Sequence, residues 1–246
     1  MGSSAVEDSG PASSIAIEAK ALSRRYGRRW ALVEASFQVP RGRALMVAGR
    51  NGSGKTTLLR TLATAIRPDA GTARIEGHDI VRERDAVRRA TALLSHATYT
   101  YEALSAIENL RIAARILGRD AGGEVLTALL DQVGLAGRAA DPVASYSAGM
   151  RKRLAIARVL LQEAAVVLLD EPYGQLDPPG FRFVDHLVEV SLQRGATVVV
   201  STHQLERGAA LCDDGIVLEN GLIVWRGPAG ELPASGGVDP ATLREP

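Results

Sequence analysis

The sequence is centred on Gly49-Arg50-Asn51-Gly52-Ser53-Gly54-Lys55-Thr56, which is followed by Thr57. It fits the pattern G-x-x-x-x-G-K-[ST], whose glycines let successive backbone N–H groups point at phosphate oxygens. Lys55 adds a positive charge for the β- and γ-phosphates, and we expect its side chain to face solvent. The Thr56 hydroxyl is placed to bind Mg²⁺. All nine residues are therefore candidate nucleotide-binding residues.

The residues on either side of this loop predict a strand before it and a helix after it. An apolar run at 44–48 is typical of a buried parallel strand. Beyond the loop, apolar residues recur at helical spacing from Leu58 to Ile66, and Pro68 ends the predicted helix before Arg67. The N-terminus of that helix carries partial positive charge, which favours an anion. Strand, loop and helix in this order favour a phosphate-binding loop over a chance glycine-rich turn.

Length and composition limit the class of protein. The 246 residues allow one or two domains, and 29 basic against 28 acidic side chains argue against a surface that binds nucleic acid. The one cysteine, Cys212, excludes an internal disulfide framework, fits a reducing cytoplasm, and is expected to be buried. No apolar run approaches the roughly 20 residues that span a bilayer. A membrane role would therefore require a partner, and residues 1–14 and 233–246 are predicted to be a disordered leader and a loose tail.

The rest of the sequence alternates between strand and helix patterns, which predicts an α/β core. Turns are predicted at 68–71 and 77–79, and a charged helix at 82–89. Between about 98 and 161 the apolar spacing is helical throughout, which indicates a helical lobe inserted into that core. Two apolar runs joined by Asn220-Gly221 predict a β-hairpin near the C-terminus.

A pair of acids, Asp170 and Glu171, ends an apolar strand predicted at 166–169. The carboxyl end of such a strand lies in the crevice where α/β sheets bind ligands. There Asp170 would bind Mg²⁺ and its water shell, while Glu171 would orient or deprotonate an attacking water. Two adjacent acids are more often a solvated turn, but the buried strand and the upstream loop favour the functional interpretation.

A further motif resembles the signature of ATP-binding-cassette (ABC) proteins: Ser145-Tyr146-Ser147-Ala148-Gly149-Met150-Arg151-Lys152-Arg153. Ser147 and Gly149 match that signature, and Met150 stands where glutamine is common. The resemblance implies that the helix at 148–161 presents its N-terminus to a γ-phosphate held by a second subunit. Ser147 is also an ordinary helix N-cap, which is compatible with this role.

Three more positions match the family. Asp177 resembles the aspartate of the loop that crosses the dimer interface, although Gly174-Gln175 replaces the usual Ser-Ala. His203, directly after a strand, resembles the histidine that contacts the γ-phosphate; a lone histidine is otherwise structural. Tyr26 resembles the aromatic residue that stacks on adenine, the alternative being an exposed tyrosine in a turn.

One family position departs from the pattern. The family has a glutamine where the core meets the helical lobe, which senses Mg²⁺ and contacts the membrane subunit. Counting back from Glu108 places this position on His96 or on Ala97, and the sequence leaves both open. The departure puts coupling and hydrolysis rate in question, but not nucleotide binding.

The resemblance covers about residues 15–230 and implies a P-loop NTPase (RecA-like) core with an antiparallel β subdomain and an inserted α-helical subdomain, within 15–232. It implies an ATPase subunit that uses ATP and Mg²⁺, with Lys55, Glu171 and His203 as catalytic residues. Two copies would enclose two ATP molecules and drive a separate membrane permease at the cytoplasmic face of the inner membrane. The exporter type is favoured, similar to the heme exporters of cytochrome c maturation.

Two alternatives remain at this point. A soluble cassette protein acting on DNA or ribosomes would usually carry a long coiled coil or tandem cassettes, and this sequence has neither. A regulatory nucleotide-binding module with low turnover is suggested by the missing glutamine, but Glu171 and His203 argue against it.

Overall fold

The computed structural model describes residues 14–119 and 121–232, so the predicted leader, except Ser14, and the predicted tail lie outside the described residues. The strands are β1 (Ile15–Tyr26), β2 (Arg29–Pro40), β3 (Ala44–Ala48), β4 (Ala70–Ile75), β5 (His78–Asp79), β6 (Thr91–Leu94), β7 (Val166–Asp170), β8 (Thr197–Ser201), β9 (Asp214–Glu219) and β10 (Leu222–Pro228). The α-helices are α1 (Lys55–Leu62), α2 (Arg84–Ala90), α3 (Ala106–Ile116), α4 (Gly123–Gln132), α5 (Ala148–Gln162), α6 (Phe181–Gln193) and α7 (Leu205–Leu211).

A six-stranded sheet forms the centre of the molecule, in the order β10-β9-β3-β8-β7-β6. Its strands run parallel except β10, which pairs antiparallel with β9. Every residue of β3, β7 and β8 is buried, as the continuous apolar runs predict for a sheet covered on both faces. In β3, Leu45 and Val47 face one hydrophobic core, whereas Met46 and Ala48 face the other.

The second sheet is antiparallel and has the order β2-β1-β4-β5. Helix α1 belongs to the core shared by the two sheets, because Leu58, Leu59 and Leu62 are fully buried with residues of both. Helices α5 and α6 cover the opposite face of the parallel sheet. The predicted α/β class with a separate antiparallel sheet is confirmed, and so is the hairpin of β9 and β10.

Helices α3, α4 and α5 pack on one another within the segment predicted to be a helical lobe. A capping box fixes the start of α3, where the Ser105 backbone N–H donates to Glu108 Oε2 at 2.8 Å. Ser147 caps α5 by accepting a hydrogen bond from the Met150 N–H at 3.2 Å, which confirms its role as an N-cap. The limits of the lobe remain a prediction.

Several predicted boundaries were wrong. Helix α1 ends at Leu62 rather than at Ile66, because Thr64 has a left-handed φ of 59° that cannot continue a helix. Ala70 and Gly71 belong to β4 rather than to a turn; Gly71 lies against a bulge in β1, where an added Cβ would lie 2.2 Å from the Ala21 carbonyl oxygen. His78 and Asp79 form β5, and the charged helix begins at Arg84.

Two further properties bear on function. Within residues 14–119 and 121–232, no helix is both long enough and apolar enough to cross a bilayer. Cys212 is the C-cap of α7 and is only 9% exposed, as expected. It is a free thiol, in keeping with a sequence that has one cysteine. Burial raises the pKa of its thiol to about 12.

Candidate functional site

The candidate residues converge because three parallel strands end at the same edge of the central sheet. Ser201 at the end of β8 pairs with Val47 of β3 and with Asp170 of β7. The phosphate loop after β3, Glu171 after β7 and His203 after β8 therefore emerge side by side.

The phosphate loop connects β3 to α1, and at Gly49 and Gly54 it leaves no room for a side chain. Gly49 and Gly54 have φ values of 144° and 116°. A Cβ at Gly49 would lie 2.3 Å from the Leu218 carbonyl oxygen, and one at Gly54 would lie 2.3 Å from that of Ala31. The loop is thus held tightly between β2 and β9, with its backbone in conformations that side chains exclude.

Lys55 is buried, so the expectation that it faces solvent was wrong. Its side chain is 5% exposed, and Nζ donates to the Gly49 and Arg50 carbonyls at 2.7 and 3.3 Å. Nζ also lies 3.3 Å from Glu171 Oε1. The flexible stem of the lysine lets the ammonium fold back over the loop, where carbonyls and a carboxylate surround it.

Asp170 is buried and accepts two hydroxyl hydrogen bonds on the same oxygen. Thr56 Oγ1 and Ser201 Oγ each donate to Asp170 Oδ1 at 2.9 Å. These donors hold the carboxylate beside the first residues of α1, within reach of the phosphate loop.

Glu171 lies next to Asp170 in a strained conformation, with a φ of 45°. Its N–H donates to the carbonyl and the hydroxyl oxygens of Ser201 at 3.1 and 3.0 Å. Its Oε2 lies 2.9 Å from His203 Nδ1. The backbone therefore turns the carboxylate away from the strand, to a position between Lys55 and His203.

A cavity of about 430 Å³ opens in front of these groups. It is lined by Tyr26, Arg29, Ala31, Asn51, Gly52, Gly54, Lys55, Thr56, Thr57 and Glu171. The Tyr26 ring lies at the edge of this cavity and is half-exposed. The Arg24 guanidinium lies 4.9 Å from the ring centre. Sequence analysis missed Arg29; a basic side chain three residues after the aromatic was the available signal.

The signature residues lie outside this cavity. Gly149 is in the first turn of α5, where an added Cβ would lie 3.2 Å from the Gln175 carbonyl oxygen. Asp177 caps the following 3₁₀ turn by accepting a hydrogen bond from the Gly180 N–H at 3.2 Å. Ser147, Gly149 and Asp177 are thus grouped on a separate part of the surface.

The loop after β6 carries His96 and Ala97, the two candidates for the position of the family's glutamine, in different surroundings. His96 Nε2 lies 3.4 Å from Gln175 Nε2, beside the segment that leads to Asp177. The Ala97 carbonyl oxygen accepts a hydrogen bond from Ser95 Oγ at 2.9 Å. Both side chains are exposed, and the choice between His96 and Ala97 stays open.

Lys152 is a buried charge near the site that sequence analysis did not single out. Its side chain is 1% exposed, and Nζ donates to the Ser95 carbonyl at 3.2 Å. Burial lowers the pKa of Lys152 to about 8, against the opposing charges of Asp170 and Glu171. The amine therefore connects α5 to the loop that carries His96.

The oxygen donors of the site fit a magnesium ion bound together with phosphate. Within the described part of the chain, no group of three or more His, Cys, Asp or Glu side chains is arranged to hold a metal by itself. Mg²⁺ at nucleotide sites, however, is bound through one or two carboxylates plus phosphate oxygens. Ser53 Oγ is buried without a hydrogen-bond partner among the described residues, so polar capacity remains in the phosphate loop, while Glu171 Oε1 lies in the ion pair with Lys55 Nζ at 3.3 Å.

Comparison with known proteins identifies a family. The sequence pattern of the ABC transporter family matches residues 32–174. The Daunorubicin resistance ATP-binding protein DrrA3 of Streptomyces coeruleorubidus is 39% identical over 226 residues, which cover 91% of this chain and 72% of that protein. The Cytochrome c biogenesis ATP-binding export protein CcmA of Vibrio vulnificus is 37% identical over 168 residues, covering 68% of this chain and 82% of that protein.

Solved structures agree with the sequence relatives. A structure described as the ATP-binding subunit of an ABC transporter matches with a TM-score of 0.80 at 29% identity, covering 86% of this chain and 89% of that chain. A dimeric ATP-binding cassette in a post-hydrolysis state, bound to ADP and phosphate, shares the fold with a TM-score of 0.79 at 22% identity, covering 87% of this chain and 98% of that chain.

Proposed function

The chain belongs to the ABC transporter family as an ATP-binding, ATP-hydrolysing subunit, and we propose that the phosphate loop and the Glu171–His203 pair bind and cleave ATP. The observation that carries this proposal is the position of the Glu171 carboxylate. It lies 3.3 Å from Lys55 Nζ and 2.9 Å from His203 Nδ1, at the wall of the cavity that the phosphate loop forms.

We propose that ATP occupies this cavity with its adenine on Tyr26 and its phosphates in the loop. Stacking of a base on an aromatic ring contributes about 1–3 kcal/mol. The N–H groups of the loop and the start of α1 surround the β- and γ-phosphates. Lys55 Nζ then exchanges its loop carbonyls for phosphate oxygens, and Arg29 supplies a second positive charge at the cavity rim.

The metal is proposed to lie between Thr56 and Asp170. Thr56 would contribute its hydroxyl oxygen, and Asp170 would hold the water shell of the ion, since both are already within hydrogen-bonding distance of each other. When bound, Mg²⁺ supplies positive charge to the β- and γ-phosphate oxygens.

Hydrolysis is proposed to begin when Glu171 takes a proton from a water molecule in line with the γ-phosphorus. The water oxygen forms a bond to that phosphorus as the bond to the β–γ bridging oxygen breaks, which leaves ADP and inorganic phosphate. His203 holds the Glu171 carboxylate and can reach the γ-phosphate. Lys55 stabilises the charge on the transferred group.

A second copy of the chain is the proposed source of Ser147, Gly149 and Asp177. These residues lie outside the cavity of their own chain, on the exposed N-terminus of the 15-residue helix α5 and on the adjacent turn. The exposed N–H groups at the start of such a helix suit a γ-phosphate held by a partner. Each ATP would then lie between the loop of one copy and the Ser147 motif of the other.

We propose that the membrane permease docks beside the loop after β6. An apolar groove of about 230 Å³ lies between this loop, α3 and α5. Tyr99, Ile116 and Leu117 line it with exposed side chains, and Arg158 holds the loop through the Thr98 and Tyr99 carbonyls at 2.7 Å each. Docking there would place the chain at the cytoplasmic face of a membrane. We also propose that the cargo resembles that of drug or heme exporters, which the identities of the relatives support.

The decisive test is steady-state phosphate release by the parent and by Glu171→Gln. A general base contributes about 10²- to 10⁴-fold, so turnover should fall by that order while ATP binding persists. Glu219→Gln, a change at an exposed acid of β9, is the control and should leave turnover unchanged. Equal turnover in the parent and Glu171→Gln would refute the role of Glu171.

A further inference from the structure

A hydrogen-bonded cluster of Tyr173, Asp185 and Arg207 joins the turn after Glu171 to helices α6 and α7. Tyr173 follows Glu171 by two residues and is only 3% exposed. Its hydroxyl donates to Asp185 Oδ1 at 2.8 Å, and Arg207 Nη1 donates to Asp185 Oδ2 at 2.8 Å. Both oxygens of the Asp185 carboxylate are thus used, each by a residue from a different segment.

Aromatic contacts fix the same groups from the side. The Arg207 guanidinium lies 4.9 Å from the centre of the Phe181 ring and 5.4 Å from that of Tyr173. The two rings meet edge to face with their centres 5.2 Å apart. Burial and the neighbouring Asp185 carboxylate raise the pKa of Tyr173, so its hydroxyl stays a donor at any ordinary pH. The planar Arg207 guanidinium is thus oriented by two rings and a carboxylate, while 39% of its side chain stays exposed.

Two of the three segments joined here carry the proposed catalytic groups Glu171 and His203. Tyr173 belongs to the turn after Glu171, and Arg207 lies in the first turn of α7, four residues after His203. Asp185 lies in the second turn of α6, the helix that follows Asp177. The strained φ of Glu171 needs surrounding structure to maintain it, and the Tyr173 hydrogen bond to Asp185 holds the turn that follows Glu171.

We propose that Asp185 is a positioning residue for ATP hydrolysis, which holds Glu171 and His203 together through Tyr173 and Arg207. The inference rests on the proposed roles of Glu171 and His203. Since Asp185 and Arg207 do not line the nucleotide cavity, they act on the reaction only through the residues they hold.

The proposal makes a kinetic prediction that a purely structural role does not. Displacement of a catalytic group by about 1 Å can lower turnover up to about 10²-fold. Asp185→Asn should therefore lower kcat by tenfold or more, while KM and the ATP dissociation constant stay within twofold of the parent. Tyr173→Phe, which keeps the ring but removes the hydroxyl, should lower kcat in the same way.

The two changes should also be non-additive, because they break one chain of contacts. The matched control is Glu189→Gln, which neutralises an exposed acid one turn further along α6, where Glu189 accepts a hydrogen bond from Gln193 at 3.1 Å. Turnover is expressed per ATP-binding site counted by calorimetry, so a loss of folded protein does not count as a loss of kcat.

A second measurement does not depend on turnover. The imidazole signals of His203, assigned with a His203→Gln variant, are recorded by NMR in nucleotide-free protein. Asp185→Asn should shift them in the direction that Glu171→Gln does. The first change is expected to move the Glu171 carboxylate away from His203 Nδ1, and the second replaces that carboxylate with an amide. Glu189→Gln should leave the signals in place.

The outcomes distinguish failure of the positioning role of Asp185 from failure of the role of Glu171. If Glu171→Gln lowers turnover but Asp185→Asn matches the parent, or lowers kcat without moving the His203 signals, the positioning role is refuted. If Glu171→Gln hydrolyses ATP at the parent rate, the role of Glu171 fails, and the His203 signals alone then decide whether Asp185 holds the pair.

Discussion

Lys55 shows how a single residue can prepare a site for its ligand. Its ammonium is held by the carbonyls of the loop that binds phosphate and by the carboxylate of the proposed base. Binding of a phosphate at this position would draw the charge from Glu171 and free that carboxylate to accept a proton. The same residue thus links occupancy of the loop to the state of the base.

Lys55→Met should abolish tight ATP binding while leaving the fold intact. Methionine keeps most of the buried stem but removes the charge-assisted hydrogen bonds, each of which contributes about 1.5–3 kcal/mol. Isothermal calorimetry with ATP measures the loss, and thermal unfolding checks the fold. Lys20→Met, at an exposed lysine of the antiparallel sheet, is the control. Parent affinity in Lys55→Met would mean that the loop assignment is wrong.

The lowered pKa of Lys152 predicts that the free energy of unfolding depends on pH. The pKa of Lys152 is lowered from 10.5 to about 8 in the folded chain. Between these pH values the Lys152 amine is therefore protonated in the unfolded chain but largely deprotonated in the folded chain. Stability of the parent should therefore rise with pH in that window, relative to Lys152→Met, which lacks the titrating group.

Urea unfolding of both proteins at pH 7.5, 9 and 10.5, values chosen to bracket the shift, measures this difference. Lys20→Met again serves as the control and should follow the parent at all three pH values. A constant difference between the parent and Lys152→Met would show that the buried amine titrates normally.

At the scale of elements, helix α5 has two roles that one substitution can separate. Ser147 caps the helix and also presents its hydroxyl at the helix N-terminus. Aspartate is an equally good cap, but its charge would repel a γ-phosphate. In the Glu171→Gln background, Ser147→Asp should keep the melting temperature yet prevent ATP-dependent dimers, as seen by size-exclusion chromatography.

Ser147→Ala should instead lose about 1 kcal/mol of stability by removing the cap. Comparison with Ser147→Ala therefore separates the effect of losing the helix cap from the effect of charge repulsion. The double variant Ser147→Asp/Glu171→Gln is compared with Glu171→Gln alone. If both form dimers with ATP equally readily, the proposed contact of Ser147 with a partner's phosphate is excluded.

The sequence predicts elements best where the determining signals are local. The phosphate loop, the acids ending β7 and the Asn220-Gly221 hairpin are each set by residues adjacent in the chain. The end of α1 could not be placed, because it depends on the left-handed Thr64 rather than on the apolar spacing, which continues beyond it. The burial of Lys55 also escaped prediction, since its partner Glu171 lies 116 positions further along the chain.

The cluster around Asp185 is the clearest case of information that only the fold supplies. Its members come from the turn after β7 and from two helices, and no spacing in the sequence relates them. Tyr173 and Arg207 in isolation are an ordinary aromatic and an ordinary surface cation. Only the fold brings them to a common acceptor, the Asp185 carboxylate of α6.

At the scale of the whole molecule, the residues of the proposed ATP site lie on two surfaces. The cavity with Lys55 and Glu171 lies at the edge of the central sheet, whereas Ser147 and Asp177 form another patch. The groove beside the β6–α3 loop is a third surface; Lys152 donates to the Ser95 carbonyl of that loop, and His96 lies beside Gln175. A membrane protein docked in the groove, as proposed, would contact the loop that Lys152 holds.

Ile116→Glu should weaken association with membranes from the source cells without lowering ATP binding. The side chain is 76% exposed in the groove, so a charge there disrupts an apolar contact but not the fold. Val125→Glu, at an exposed apolar position on α4, is the matched control. Co-sedimentation with those membranes measures the effect, and equal co-sedimentation of the two variants would place the permease elsewhere.

The burial of Cys212 makes the protein a convenient background for probe attachment. Burial raises the pKa of the thiol to about 12, so very little of the sulfur is thiolate at neutral pH, and the thiolate is the reactive form. Since the sequence contains no second cysteine, the native chain should resist maleimides and mild oxidants. A cysteine introduced at an exposed position would then be the one group labelled. Spin-label or fluorophore distances between two copies could be measured without first removing a natural thiol.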